Sequence, residues 1–224
     1  MTLSTYQAQF IDFLIASNAL SFGEFKLKSG RTAPYFINTG SFDDGQKIHA
    51  LGKIYAAHIK ANNLHHATII FGPAYKGIPL CVTTVIGLQS EFGISTGFTF
   101  DRKEVKDHGD GGLLVGKKIK DGDNIVIVED VVTAGTTLQK IIPLVTSLAK
   151  VNIIGVVVSV DRMERGNGTL TAVKEVEATL GVKVFPIVTI DHIVNYLSSK
   201  NSSGFVLNKS QIELISSYAK EYRA

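Results

Sequence analysis

Glu129 and Asp130 stand side by side at the end of a short apolar run, residues 125–128. A small, hydroxyl-rich turn follows: Val131, Val132, Thr133, Ala134, Gly135, Thr136 and Thr137. Backbone N–H groups at the start of a helix, joined by threonine hydroxyls, form a cradle for phosphate. The two acids would repel phosphate. They suit ribose hydroxyls, or positive charge developing on a sugar. The plainer reading is a capped helix after a strand, with Thr133 or Thr136 as the cap. Two adjacent carboxylates are awkward for structure alone, and they shift the reading toward chemistry.

Three other groups could work with that loop. Arg102, Lys103 and Lys106 place three cations within five residues, with His108 close behind. Glu104 and Asp107 keep the run soluble, and Gly109, Gly111 and Gly112 permit large backbone changes. Alone, such a run reads as a solvated loop; beside a phosphate cradle it reads as a lid for a polyanion. Tyr75 and Lys76 sit in a turn bounded by Gly72, Pro73 and Gly77, where backbone can approach a ligand closely. Arg162 follows the apolar run 153–160. Its planar fork suits a carboxylate, and an ion pair with Glu164 or Asp161 is an equal alternative.

The hydrophobic pattern supplies the elements that must position these groups. Apolar runs at 68–71, 97–100, 125–128, 153–160 and 182–188 lack clean alternation, as strands covered on both faces do. Helix-length segments at 78–89, 136–148 and 171–180 lie between them. This predicts an α/β fold, an open, mostly parallel twisted sheet flanked by helices, with ligands beyond the carboxyl ends of the strands. Upstream, Tyr6, Phe10, Phe13 and Leu14 share one helical stripe. Residues 25–38 look extended around a turn at Ser29 and Gly30, and residues 44–63 return to helical spacing. One domain is expected: a small helix-and-strand hood over residues 1–43 and an α/β core over 44–224, carrying the lid at 102–112.

The 224 residues are 45% hydrophobic and 19% charged, which excludes a disordered chain. No apolar run approaches the ~20 residues of a membrane helix. The N-terminus has no basic start and carries Asp12, so no secretory signal is expected. The single cysteine, Cys81, excludes an internal disulfide framework and fits a reducing cytosol. It lies in an apolar helix and reads as a small buried hydrophobe. A net charge of +3 gives no reason to expect nucleic acid. His65 and His66 have no third ligand at a metal spacing and read as surface. A cytoplasmic protein without membrane or nucleic-acid partners is expected.

Five motifs in order across residues 22–168 resemble the type I phosphoribosyltransferases, and among them the orotate phosphoribosyltransferases. Glu129 to Thr137 is similar to the family's ribose-5-phosphate loop. Phe25–Lys26–Leu27–Lys28–Ser29–Gly30–Arg31, with Pro34–Tyr35–Phe36, resembles its N-terminal signature. Gly72–Pro73–Ala74–Tyr75–Lys76–Gly77 resembles its pyrophosphate loop, and residues 102–109 its mobile lid. Asp161–Arg162–Met163–Glu164–Arg165–Gly166 resembles its substrate-side motif.

The resemblance implies transfer of ribose 5-phosphate from phosphoribosyl pyrophosphate to orotate, giving orotidine 5′-phosphate and pyrophosphate, within UMP synthesis. It implies Lys106, Asp130, Glu129, His108 and Arg102 as catalytic groups. Phosphoribosyl pyrophosphate would meet Lys28, Tyr75, Lys76, Arg102, Lys103, Lys106, His108 and every residue from Glu129 to Thr137. Orotate would meet Lys28, Phe36, Ile37, Thr133 and Arg162. Many relatives carry a second aromatic at the place of Ile37, which packs but cannot stack. Mg²⁺ is implied, bound mainly through the substrate diphosphate, with Asp130 at its water shell and no protein metal site. A homodimer sharing the lid across subunits and a cis peptide at Ala74–Tyr75 are implied as well. The competing readings are a purine phosphoribosyltransferase and a non-catalytic sensor of phosphoribosyl pyrophosphate on the same fold. Arg162 and the lid weigh against the first, and the intact lid against the second.

Overall fold

The computed structural model describes residues 3–27, 30–106, 112–132, 135–199 and 201–224. The chain opens with helix α1 (Thr5–Ala16) and a hairpin of β1 (Leu20–Lys26) and β2 (Thr32–Ile37). Helix α2 (Gly45–Ala61), capped by the Asp44 carboxylate on the Lys47 N–H at 2.8 Å, leads to β3 (Ile69–Phe71) and α3 (Gly77–Phe92). Strands β4 (Gly97–Lys106) and β5 (Gly112–Gly116) follow, then β6 (Asn124–Val131), α4 (Thr136–Leu148) and β7 (Asn152–Asp161). The chain closes with α5 (Ala172–Leu180), β8 (Val184–Thr189), α6 (Ile190–Leu197) and α7 (Lys209–Tyr222).

The main sheet has the order β5-β4-β3-β6-β7-β8, with every pair parallel except β4 and β5. The missing alternation has a direct cause, since both faces are covered. Val126, Val128 and Ile70 face a core shared with α1, α2, α3, α6, α7 and the hood hairpin. Ile125, Ile127, Ile69 and Phe71 face a second core, under α4 and α5. Successive strand residues point to opposite faces, so each strand must be apolar at nearly every position.

Two expectations need correction. Residues 102–106, expected in the lid loop, instead extend β4 alongside the edge strand β5. Asp101 pairs with Leu114 and Lys106 with Gly112 across β5, a strand that the hydrophobic pattern does not mark. Thr136 does not cap α4 but is its first helical residue, and Thr133 lies outside the described residues. Gly135 holds the capping position at φ 67°, and a Cβ there would collide with Val176 of α5, so only glycine fits. Helices α6 and α7 have no counterpart in the sequence reading. Tyr218 of α7 packs on Tyr35 of β2, bringing the C-terminal helix against the hood.

Candidate active site

From β3 the chain passes through α3 to β4 on one side, and from β6 through α4 to β7 on the other. The connections diverge between β3 and β6, which opens a crevice beyond their carboxyl ends. The turn after β3 and the acids ending β6 both lie there.

Lys76 Nζ donates to Asp130 Oδ2 at 2.8 Å across this crevice. Thr39, in a short turn (Thr39–Ser41) after β2, donates its hydroxyl to the same oxygen at 2.8 Å. Lys76 Nζ also reaches Thr39 Oγ1 at 3.0 Å. Three segments thus meet on one carboxylate oxygen. The turn before α3 is tight: a Cβ on Gly72 would overlap the Gly77 carbonyl. The Ala74–Tyr75 bond is cis, as expected. The ring of Tyr75 is 71% exposed, so it presents its face to whatever enters. Ala74 N–H donates to Asp101 Oδ1 at 2.5 Å, tying this turn to β4 one residue before Arg102.

The two acids are buried, and their carboxyls are shifted in opposite directions. Burial pushes the Glu129 carboxyl up, and the neighbouring Asp130 charge adds to the rise. Burial acts on Asp130 too. There the hydrogen bond and charge of Lys76, the Thr39 hydroxyl and the Val131 N–H prevail, so its carboxyl lies below the usual range. The backbone beneath is fixed as well. Tyr55 of α2 donates to the Glu129 carbonyl at 2.9 Å, and the Ser159 hydroxyl donates to that of Asp130. Beside them lies a small pocket lined by Glu129, Val131, Val132, Gly135, Thr136, Thr137 and Leu138. The N–H groups of the first turn of α4 have no intrahelical partners and suit a phosphate.

A second cluster of the expected site residues lies between β2 and the end of β7. Phe36 stacks on Phe25 with ring centroids 5.5 Å apart, yet is 39% exposed, leaving a flat apolar face. Ile37 points instead toward the core shared with the hood. Arg162 is largely buried. Its Nε donates to Glu164 Oε1 at 2.8 Å, and its guanidinium carbon lies 4.7 Å from the Tyr35 ring centre. The ion pair with Glu164 is therefore formed, and Asp161 instead accepts from Met163 N–H at 2.7 Å.

In the cationic run of β4, Arg102 is half-buried and Lys103 lies with Nζ 5.9 Å from the Tyr75 ring centre of its own chain. Lys106 is placed by its backbone in β4. Lys28, His108, Thr133 and Ala134 lie outside the described residues. Cys81 is fully buried, and burial pushes its thiol up to about 12. His66 is exposed and His65 half-buried.

Thr39, Asp101 and the organising role of Glu164 escaped the sequence reading. Thr39 is 91 residues from Asp130, and no local spacing links them. For Asp101 a signal existed: an acid where a buried strand meets a cationic run.

The phosphoribosyl transferase domain family matches residues 38–190 of the chain. The orotate phosphoribosyltransferase of Clostridium beijerinckii is 45% identical over 223 residues, covering 99% of this chain and all of that protein. That of Bifidobacterium animalis subsp. lactis is 52% identical over 191 residues, 83% of each chain. The crystal structure of the Francisella tularensis orotate phosphoribosyltransferase superposes with a TM-score of 0.84 at 31% identity, covering 96% of this chain and all of that one.

Proposed function

We infer how this chain works from the family it belongs to, the phosphoribosyltransferases and within them the orotate phosphoribosyltransferases. It transfers ribose 5-phosphate from phosphoribosyl pyrophosphate to orotate, releasing pyrophosphate and forming orotidine 5′-phosphate. This places it in UMP synthesis. We assign the steps of the reaction to residues on one observation, the meeting of Thr39, Lys76 and Asp130 on a single oxygen between β3 and β6.

The reaction is a displacement at the anomeric carbon, in which the bond to pyrophosphate breaks ahead of the bond to the orotate nitrogen. Positive charge collects on the sugar, and the ionised Asp130 faces it. Glu129, holding its proton, donates to a ribose hydroxyl. The start of α4 anchors the 5-phosphate, with Thr133, Ala134, Thr136 and Thr137 around it. Negative charge builds on the departing pyrophosphate, where Lys76, Tyr75, Arg102, Lys103, Lys106 and His108 receive it. Orotate lies on the Phe36 face with its carboxylate toward Arg162 and Lys28.

Mg²⁺ accompanies the diphosphate in this reading. Among the described residues no three His, Cys, Asp or Glu side chains gather to hold an ion. Asp130 already serves Lys76 and Thr39, which fits contact with the ion's water shell and leaves the diphosphate as the main ligand. Bound there, the ion would draw charge from the leaving group. The working unit is a homodimer in which the lid, Lys106 included, serves the neighbouring site, while Lys103 lies beside the Tyr75 ring of its own chain. Among the described residues no helix is long and apolar enough to cross a membrane, and we place the protein in the cytoplasm.

Pyrophosphate release should be measured with orotate, hypoxanthine, guanine, adenine and uracil. Orotate should be the base consumed. Comparable turnover of a purine would overturn the assignment of the base side.

A further inference from the structure

Glu164 gathers groups from three parts of the chain. Its Oε1 accepts from Arg162 Nε at 2.8 Å, from the Tyr35 hydroxyl of β2 at 3.2 Å, and from the Tyr218 hydroxyl of α7 at 3.1 Å. Its Oε2 lies 3.5 Å from Arg31 Nη1, just before β2. Arg162 and Glu164 themselves follow β7. One carboxylate therefore locks the hood, the sheet and the C-terminal helix around one arginine.

The arginine is not used up by this. Its Nε and Nη2 edge faces Glu164, with Nη2 2.6 Å from Oε1 but out of line for a hydrogen bond. Beyond this ion pair, the buried Nη2 makes no hydrogen bond among the described residues. A guanidinium carries five N–H groups, so Nη1 and the remaining Nη2 proton form an edge left for a second acceptor. Buried donors without acceptors are uncommon in proteins and call for a partner. An ion pair of this kind adds little stability over a packed apolar pair. Its effect is geometric: with one edge fixed and the Tyr35 ring beneath, the guanidinium cannot rotate.

We propose that Glu164 is a positioning residue for orotate selection, holding Arg162 by one edge so that the opposite edge meets the substrate carboxylate, with α7 enlisted through Tyr218. This rests on the reading of Arg162 as the carboxylate partner. The two ideas separate experimentally. Glu164 acts through Arg162, so its effect must vanish when Arg162 is gone.

Steady-state kinetics on the full-length enzyme would decide, with folding of each variant checked by circular dichroism. Arg162→Ala tests the underlying reading. It should raise the KM for orotate by at least about tenfold while the KM for phosphoribosyl pyrophosphate stays within about twofold. If orotate use is unchanged, that reading fails by itself. Glu164→Ala should raise the orotate KM by about tenfold with the same split, and Glu164→Gln, which keeps an acceptor, should recover most of the loss. In the Arg162→Ala background, Glu164→Ala should add nothing. Equal loss toward both substrates, or full additivity in the double variant, overturns the proposal. Should Glu164→Ala fail to fold, Tyr218→Phe replaces it, removing a single hydroxyl. It should raise the orotate KM about two- to threefold in the wild-type background and not in Arg162→Ala. A folded Tyr218→Phe enzyme with an unchanged orotate KM overturns the role of α7.

Discussion

Lys76 and Asp130, 54 residues apart in sequence, form an ion pair of 2.8 Å across the gap between β3 and β6. Asp130 is buried and Lys76 is mostly exposed, so the pair joins the fixed wall of the site to a side chain free to turn toward a polyanion. This pair, with the Thr39 hydroxyl, keeps a buried carboxylate charged where burial would otherwise neutralise it.

Replacing that charge should therefore slow the chemical step. Asp130→Asn keeps the shape and most hydrogen bonds. We expect kcat to fall by about tenfold to a hundredfold, ~2 kcal/mol of transition-state stabilisation, with the melting temperature little changed. A kcat close to wild type would leave Asp130 only a hydrogen-bonding role.

Glu129 predicts a pH dependence of stability. Its carboxyl is raised by burial and by Asp130 beside it. Between the unfolded value, about 4.3 for glutamate, and the raised native value, the folded protein keeps a proton that the unfolded chain has released. Stability therefore falls as pH rises through that interval. Asp130 is shifted the opposite way, so its own slope lies at more acid pH, below the ordinary aspartate value. Glu129→Gln cannot ionise, and its melting temperature should gain on wild type as pH rises from about 4.5 toward neutral. A constant difference across that range would show that Glu129 does not hold its proton.

Asp101 should serve the pyrophosphate side. Its Oδ1 accepts from Ala74 N–H, so Asp101→Leu leaves a buried donor unpaired at a cost of about 1–3 kcal/mol. Asp101→Asn keeps an acceptor. The KM for phosphoribosyl pyrophosphate should rise about tenfold or more in the first variant and little in the second, with the orotate KM steady in both. A matching rise in both KM values would mean a general loss of structure.

The shared lid can be tested by mixing two impaired variants. Lys106→Ala would fail in the lid it contributes, and Asp130→Asn in the site it provides. If lids cross over, one site of a mixed dimer carries both defects and the other neither. Activity should return, after subunit exchange, toward about one quarter of wild type in an equal random mixture. No recovery after verified exchange would mean that each lid serves its own subunit.

The local pattern of the sequence determined the parallel sheet and the turn that leads from β6 into α4. Buried strands such as 125–128 must be apolar on both faces, and a turn before a helix must expose N–H groups, whatever the rest of the chain does. Arg162 was legible as a cation after a strand, but its partner was left open between Glu164, Asp161 and a substrate. Between the two acids, tertiary structure decided: Tyr35 and Tyr218 converge on Glu164 and make that carboxylate the intramolecular acceptor, while Asp161 accepts from Met163 N–H. Thr39 reaches Asp130 because the hood folds over the sheet, and Asp101 reaches Ala74 because β3 and β4 are neighbours. The cationic run 102–106 read as loop because its residues are polar. It is strand because β5 returns beside it and supplies the hydrogen-bonding edge, a partner that no local pattern contains. Hydrogen bonds and ion pairs between distant segments depend on where the chain crosses itself, and that is settled by packing of the whole chain.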